Sequence, residues 1–590
     1  MMVSPEQNEA IICPGHCSII APPGSGKTRT LVAKTVALIN AGHTKIQLIS
    51  FTNASAKEIE TRVLASISPH LHSNVKVGTF HAVLINHLSV YGVSKGLITP
   101  QQQSSMMHQA WSKIESTGTN FSQFEEHVQR RLLWEQKPEN AGVETESPND
   151  DDIYERGFLA YRELVLGSQQ VTLDNLIAHC VDLMVTGKLP LLDANSMMVD
   201  EFQDCDSAQT KLVLIHGLSK TIITTVADDD QSIYSWRAAQ GTKAILTLEN
   251  VLKAKRVVLS TNYRSHVEIL TTAYKLVERI STRVPKEVTS YRGIGGSVTL
   301  RHLDTPFDEA TYIANEIQSA PTIKTFIIAR TNIYLAYIEG ELLERGIPFK
   351  KQQNKGYFDN SICHLAMSAS ISLFNNKGNE LNNLLQVLVG TGEAPTRSQL
   401  LNDTQQNPAH SPQLNQAFSS IRASHQRFSN GDSATAIKMF FTGIIDRLTD
   451  LKFSQSTRLF QLAETLNKIK LPSLEAKIHL LMTPPKEKNK EASVTIMTMH
   501  GSKGLEAPRV FVMGVNNKVI PSTRALKEAG LTGKYQDCID EEARLVFVAI
   551  TRAEDVVYIT TAKGTTLQPK RYGPSQVITP LLGLADINTL

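Results

Sequence analysis

The chain has 590 residues, 41% apolar and 20% charged, the make-up of an ordinary globular protein whose length suggests roughly four domains. Lys+Arg total 60 against Asp+Glu 57, a net charge of +3, so no overall basic field points to a nucleic acid, although a strand needs only a local groove. Six scattered cysteines argue against a disulfide scaffold, and no window approaches the roughly 20 apolar residues of a membrane span.

The opening MMVSPEQNEA lacks the basic start and apolar core of a secretory signal, so a cytoplasmic protein is expected. CPGHC at 13–17 places two thiols and an imidazole close together. A zinc site and a plain lead-in to a strand are both open there, with no second Cys/His cluster to complete four ligands. HCSIIA (16–21) reads as a short strand, and KTRTLVAKTVALINAG (27–42) as a helix with Leu31, Val32, Val36 and Ile39 broadly on one side. Between them runs APPGSGKT, Ala21 to Thr28. Strand, loop and helix in this order form a phosphate cradle, with the helix N-terminus against the anion. Ala21 stands where the motif usually has its first glycine, and Pro22 and Pro23 have no N–H to donate. The donors are therefore the amides of Gly24, Ser25, Gly26, Lys27 and Thr28, the two glycines permitting the curl. Lys27 suits the β- and γ-phosphates of ATP and Thr28 suits Mg²⁺.

SMMVDEFQDCD (196–206) is an apolar run ending in acids; Asp200 is placed to hold Mg²⁺ and Glu201 to orient an attacking water. TIITTVADDDQSIYSWRAA (221–239) repeats that design. Its three acids, Asp228 to Asp230, read as a solvated turn without a ligand role, whereas Gln231 has an amide able to sense a γ-phosphate. Tyr234, Trp236 and Arg237 have the composition of a base-stacking platform, with buried core aromatics as the alternative.

The order APPGSGKT, SFTNASAKEIETR, GTFH, VDEFQDCD, ADDDQSIYSWRAA, LSTNYRS, TMHGSKGLE, VFVAITRA resembles the UvrD/Rep type of superfamily 1 DNA helicases, over nearly the whole chain. The resemblance implies an α/β fold of two RecA-like P-loop NTPase domains, each interrupted by a mainly helical insertion, with ATP bound by residues of both. By motif position, Gln7 matches the glutamine that reads adenine, and Arg29 and Tyr263 match residues flanking the base. Arg264 and Arg552 match the arginines that reach the γ-phosphate, Glu506 the ribose-contacting acid, and His500 a residue linking the ATP and DNA sites. Phe51, Thr52, Asn53, Thr79, Phe80 and His81, with Tyr234, Trp236 and Arg237, resemble the family's single-strand track. Ala507 and Ala543 stand where phenylalanine and arginine are usual, and VTLDNLI (171–177) carries less acid than the pattern.

On this layout the first RecA-like domain takes 1–87 and 171–278, with a helical insertion at 88–170. The second takes 279–365 and 491–590, with a helical insertion at 366–490. Strands are expected near 46–51, 196–200, 221–227, 256–260, 325–330, 493–499, 509–515 and 555–562. A helix is expected from Trp111 to Trp134 and a linker at 483–493, and no room is left for an appended nuclease domain. The expected function is ATP-driven 3′-to-5′ movement along single-stranded DNA with unwinding of tailed duplex. A DNA-gated ATPase switch within a larger assembly, served by an unidentified protein partner, is the alternative of a different class; a translocase that strips proteins from DNA is a third.

Overall fold

The computed structural model describes residues 3–92, 96–114, 121–135, 153–168, 170–352, 358, 360–402, 407–451, 456, 458–482, 492–531, 533–564, 573–582 and 588–589. The chain forms two compact units, Met1–Gly295 with Ala543–Phe547, and Gly296–Glu542 with Val548–Leu590.

The first unit is built on strands β1 (Cys17–Ile20), β2 (Ile46–Ser50), β3 (Val75–Thr79), β4 (Ser196–Val199), β5 (Ile222–Ala227) and β6 (Lys255–Val258), in the order β3-β2-β4-β5-β1-β6, with a separate short pair of β7 (Thr261–Asn262) and β8 (Thr289–Ser290). All pairings are parallel, with Ile20 opposite Ala227 and Ile49 opposite Val199. A parallel sheet covered on both faces needs apolar residues at successive positions, and β1, β2 and β4 are buried throughout. The pleat sends neighbours to opposite cores. Ile19, Leu48 and Met198 pack with helices Pro5–Ile12, Lys27–Asn40 and Asn53–Leu64, whereas Ile20, Ile49 and Met197 pack with Phe80–Val90, Leu176–Val185 and Thr242–Leu252.

Helices Pro100–Ser112, Phe121–Glu135 and Ile153–Gly167 make a separate apolar cluster around Trp111, Phe124, Val128 and Phe158. Gly157 is required there, because a Cβ would come within 2.6 Å of the Phe124 ring. The single helix expected over 111–134 is two helices, since Trp111 belongs to the end of the first and Phe121 begins the next.

The second unit has strands β9 (Ser297–Leu303), β10 (Thr325–Ala329), β11 (Phe349–Lys351), β12 (Val494–Thr498), β13 (Ala507–Met513), β14 (Ala553–Ala562) and β15 (Asn588–Thr589), ordered β11-β12-β10-β13-β14-β9-β15 and parallel throughout. A helical body between β11 and β12, including Ser361–Asn375, Pro412–Ser429 and Arg458–Lys468, has its own core around Phe418, Phe440, Phe441 and Leu462. Most of the expected linker, 483–491, lies outside the described residues.

One boundary moves. Residues 279–295, expected in the second domain, group with the first. A short parallel pairing of Thr261–Asn262 with Thr289–Ser290 holds them, together with ion pairs from Arg283 and Lys286 to Asp228–Asp230. Among the described residues no helix is long and apolar enough to cross a membrane.

Candidate active site and strand groove

In a parallel sheet the loops leaving the carboxyl ends of the strands share one edge, where such folds bind ligands. In the first unit that edge carries Ala21–Thr28 after β1, Phe51–Asn53 after β2, Phe80–His81 after β3, Asp200–Glu201 after β4 and Asp228–Gln231 after β5. Backbone bonds extend the register into the loops, from Ala21 N–H to the Ala227 carbonyl at 2.8 Å and from Asp200 N–H to the Ile49 carbonyl at 2.9 Å.

The phosphate loop turns through Gly24 (φ +68°) and Gly26 (φ +82°) before helix Lys27–Asn40 begins. Only glycine fits: a Cβ on Gly24 would lie 2.7 Å from Arg264 Cβ, and one on Gly26 would lie 2.7 Å from Gln7 Nε2. Gln7 sits in helix Pro5–Ile12 behind a Ser4 capping box. Its Nε2 donates to the Ser25 carbonyl at 2.9 Å, while its Oε1 accepts from Ser4 N–H. That helix is pinned at its other end by Lys34, fully buried, whose Nζ donates to the carbonyls of Ala10 and Cys13. The inward face of Lys27–Asn40 is therefore Thr30, Leu31, Lys34, Thr35 and Ile39, not the wholly apolar stripe expected. Asn262 Nδ2 donates to the Pro23 carbonyl at 2.6 Å and Tyr263 N–H to the Gly24 carbonyl at 2.9 Å, which places Tyr263 and Arg264 beside the loop.

Lys27 Nζ meets Glu201 Oε1 at 2.5 Å. Glu201 holds a left-handed backbone (φ +53°), a cost that non-glycine residues bear mainly at functional turns. Its other oxygen accepts from Gln203 Nε2 at 2.6 Å, and Gln203 Oε1 accepts from Asp228 N–H at 3.0 Å. Asp228 Oδ2 then accepts from Gln231 Nε2 at 2.7 Å. A continuous chain of bonds thus runs from the phosphate-loop lysine to Gln231, and Gln203, fully buried, is its middle link. Asp200 is buried at the end of β4, and Thr28 is half-buried at the start of its helix.

Asp228–Asp230 are not a solvated turn: all three are buried, met by the ammonium of Lys286 and the guanidinium of Arg283. They are also the one group of three or more metal-capable side chains among the described residues. The zinc reading of CPGHC therefore has no ligand set: His16 Nδ1 accepts from Ile223 N–H, and Cys17 lies inside β1 with its thiol pushed up to about 12 by burial.

Beside this loop is a groove of about 480 Å³ lined by Phe51, Thr52, Asn53, Thr79, Phe80 and His81, with Arg237 at its edge. Three helix starts converge on it, because Thr52, Thr79 and Asp206 are the N-caps of Asn53–Leu64, Phe80–Val90 and Ser207–Ser219. Amide ends of helices favour phosphate. Phe51 and Tyr234 stack on each other with centroids 5.5 Å apart. Phe80, assigned to base contact by resemblance, is only 3% exposed and packs into the core as the groove floor. The side chain of Trp236 lies outside the described residues. Acids enter too: Asp174, Asp204 and Asp206 line the groove, and burial pushes Asp206 above the usual carboxylate range.

In the second unit, Glu506 and Arg552 precede β13 and β14 at the amino ends of neighbouring parallel strands, while His500 follows β12 at a carboxyl end. Residues 500–506 therefore traverse the sheet. Arg552 Nε donates to the Val548 carbonyl at 2.8 Å and Nη2 to Thr551 Oγ1 at 3.1 Å. Glu506 is exposed.

The family model of the UvrD/REP helicase N-terminal domain matches residues 3–252, and that of the UvrD-like helicase C-terminal domain matches 257–408 and 409–564. The chain belongs to the UvrD/Rep helicase family. It is an enzyme of superfamily 1A. It is similar to the ATP-dependent DNA helicase PcrA of Leuconostoc citreum, 26% identical over 97% of this chain and 83% of that protein. DNA helicase II of Haemophilus influenzae is 26% identical over 98% and 86%, and PcrA of Bacillus subtilis 25% over 96% and 83%. In this UvrD/Rep helicase two side chains escaped the sequence reading. Gln203 stood inside a quoted block and is revealed only by its bonds; Lys286 lies in RVPKEV, which has no motif signal.

Proposed function

We propose that this UvrD/Rep helicase moves 3′ to 5′ along single-stranded DNA and separates duplex ahead of it. It is an ATP-dependent DNA helicase. The observation that carries it is the shared edge: the phosphate loop and a strand-sized groove both lie at the carboxyl ends of one sheet's strands, and a chain of bonds through Gln203 leads from Lys27 to Gln231.

Lys27 and the amides of Gly24–Thr28 take the phosphates, with Gln7, Arg29 and Tyr263 toward the base, and Glu506 toward the ribose. Glu201 orients the attacking water; Arg264 and Arg552 stabilise charge on the γ-phosphate oxygens. The donor set fits Mg²⁺, because the Thr28 hydroxyl and Asp200 carboxylate are hard oxygen ligands. When bound there the ion neutralises phosphate charge. In the groove, helix ends receive the strand's phosphates; Phe51 and Tyr234, with Trp236 by motif position, are assigned to its bases, a mode tolerant of sequence. His500 is assigned by motif position alone to the coupling of nucleotide and strand binding.

The test compares duplexes with 3′ and 5′ single-stranded tails. Unwinding from the 3′ tail alone, abolished in Lys27→Ala, is expected. Turnover stimulated by DNA without unwinding from either tail would replace the motor with a switch.

A further inference from the structure

The cations that bury Asp228–Asp230 come from a segment outside every motif block. Lys286, its side chain fully buried, has its Nζ 3.0 Å from Asp228 Oδ1 and 2.9 Å from Asp230 Oδ2, and it also contacts Asp229. Arg283 forks onto Asp230 at 2.7 and 2.8 Å, and Val284 N–H donates to Asp229 Oδ2 at 2.7 Å. Burial alone would raise Asp230, but the Arg283 bonds and the charge of Lys286 outweigh it and hold that carboxyl low. Burial raises Asp229 against the pull of Lys286. Three acids thus share two cations, with Lys286 alone touching all three.

Asp228 connects this cluster to the candidate chemistry. One oxygen is held by Lys286 and the other accepts from Gln231 Nε2, so the ammonium fixes the carboxylate that orients the amide. The same segment continues to Thr289–Ser290, paired with Thr261–Asn262, and Tyr291 N–H donates to the Asn262 carbonyl at 2.8 Å. Asn262 in turn holds the phosphate loop at Pro23, and Arg292 Nη1 donates to the Arg264 carbonyl at 2.9 Å. Residues 283–292 therefore form a strap that touches the Asp228–Gln231 turn at one end and the Asn262–Arg264 turn at the other.

We propose that Lys286 is a positioning residue for ATP turnover, fixing Gln231 through Asp228 so that strand binding raises turnover at the phosphate loop. This rests on the proposed function, with Gln231 taken as the amide that senses the γ-phosphate. Without the ammonium, three buried carboxylates repel one another and the turn loses its single geometry. A lysine that merely balanced charge would act on stability and leave turnover alone, and the two roles separate experimentally.

Lys286→Met, Lys286→Met with Asp229→Asn, and Asp228→Asn are compared with the unaltered chain for ATP turnover with and without single-stranded DNA, KM for ATP, and Tm. The double variant returns the cluster to its original net charge, and Asp228→Asn keeps the side-chain shape. Lys286→Met is expected to lose about tenfold or more of DNA-stimulated kcat while KM changes less than about threefold, the mark of an interaction made in the transition state. The double variant is expected to regain Tm but not stimulation, and Asp228→Asn to lose stimulation with KM for ATP changed less than about threefold. Full stimulation in either of these two would reduce Lys286 to a charge balance and overturn the proposal. Failure of the parent reading looks different: the unaltered chain would show no DNA-stimulated turnover, or Lys27→Ala would retain it.

Discussion

In the first unit, Asp228–Asp230 leave water against Lys286 and Arg283; in the second, Glu309 leaves water against Thr560, Tyr334 and the Gly514 N–H, none of them charged. Both sites are fully buried, yet their carboxyls move apart. Asp230 is held below the usual range, and burial pushes Glu309 up to about 7. A buried acid stays charged where its ionic bonds outweigh desolvation, as at Asp230 but not at Asp229, whereas one with neutral donors only moves toward its protonated form. Burial of an acid therefore does not mark function. The first cluster joins Gln231 and the strand end that carries it. Glu309 instead ties helix Pro306–Ser319 to Thr560 in β14 and to Gly514 just after β13.

The comparison breaks most visibly at Arg283. Arg283→Met leaves Asp230 with Lys286 alone and is expected to cost about 4 kcal/mol, the scale for stripping one partner from a buried pair. Tyr334→Phe removes a neutral donor from Glu309 and is expected to cost about 1–2 kcal/mol. Hydrogen exchange in β5 and in Pro306–Ser319 reads each unit separately. If Tyr334→Phe proves the costlier, the distinction between charged and neutral partners falls.

A pH titration sharpens it. Burial pushes Glu309 up to about 7 from an ordinary 4.5, so its contribution is complete below about 4.5 and is lost as pH rises through 7. Over that span the change is about 3 kcal/mol, on 1.36 kcal/mol for each pKa unit. Asp230 has the opposite sign: its contribution is present above the ordinary value of 3.8 and is lost only as pH falls through its lowered pKa. Between pH 5 and 8, exchange protection of Pro306–Ser319 should fall with rising pH, and Glu309→Gln should remove that slope. A slope surviving in Glu309→Gln would assign it to another group.

Much of this architecture is legible in the sequence for a physical reason. Parallel strands buried on both faces need runs of apolar, small or β-branched residues such as SMMV and TIITTV, and a phosphate loop needs Gly24 and Gly26 where a Cβ has no room. What stays hidden is set by long-range partners. A run of three aspartates looks solvated until cations 53 and 57 positions away close on it. Lys34 looks like an outward charge until the end of helix Pro5–Ile12 supplies two carbonyls. Phe80 sits in a motif position for base contact, but it opens helix Phe80–Val90, and its ring packs into the core. Thr52 and Thr79, assigned to phosphate by resemblance, are N-caps whose oxygens accept from Ser55 and Ala82 N–H. The helix ends they cap are left as the anion-facing feature.

Asp206 is the intermediate case and gives the smallest expected effect. Like Glu309 it is raised by burial, with backbone donors at Gln209 and Ala208; unlike Glu309 it lines the functional groove, with the charge of His81 acting on it. It caps helix Ser207–Ser219, and asparagine caps as well as aspartate, so Asp206→Asn should leave Tm unchanged. The substitution removes a negative charge from a groove proposed to hold a polyanion. At roughly 7 Å in water-like dielectric one carboxylate–phosphate repulsion is worth about 0.6 kcal/mol, so affinity for oligo-dT should rise about threefold at low salt. Screening should erase most of that gain at high salt. Unchanged affinity at every salt concentration would mean that the acid does not face the strand, and a lowered Tm would return Asp206 to the class of Glu309, an acid kept for packing alone.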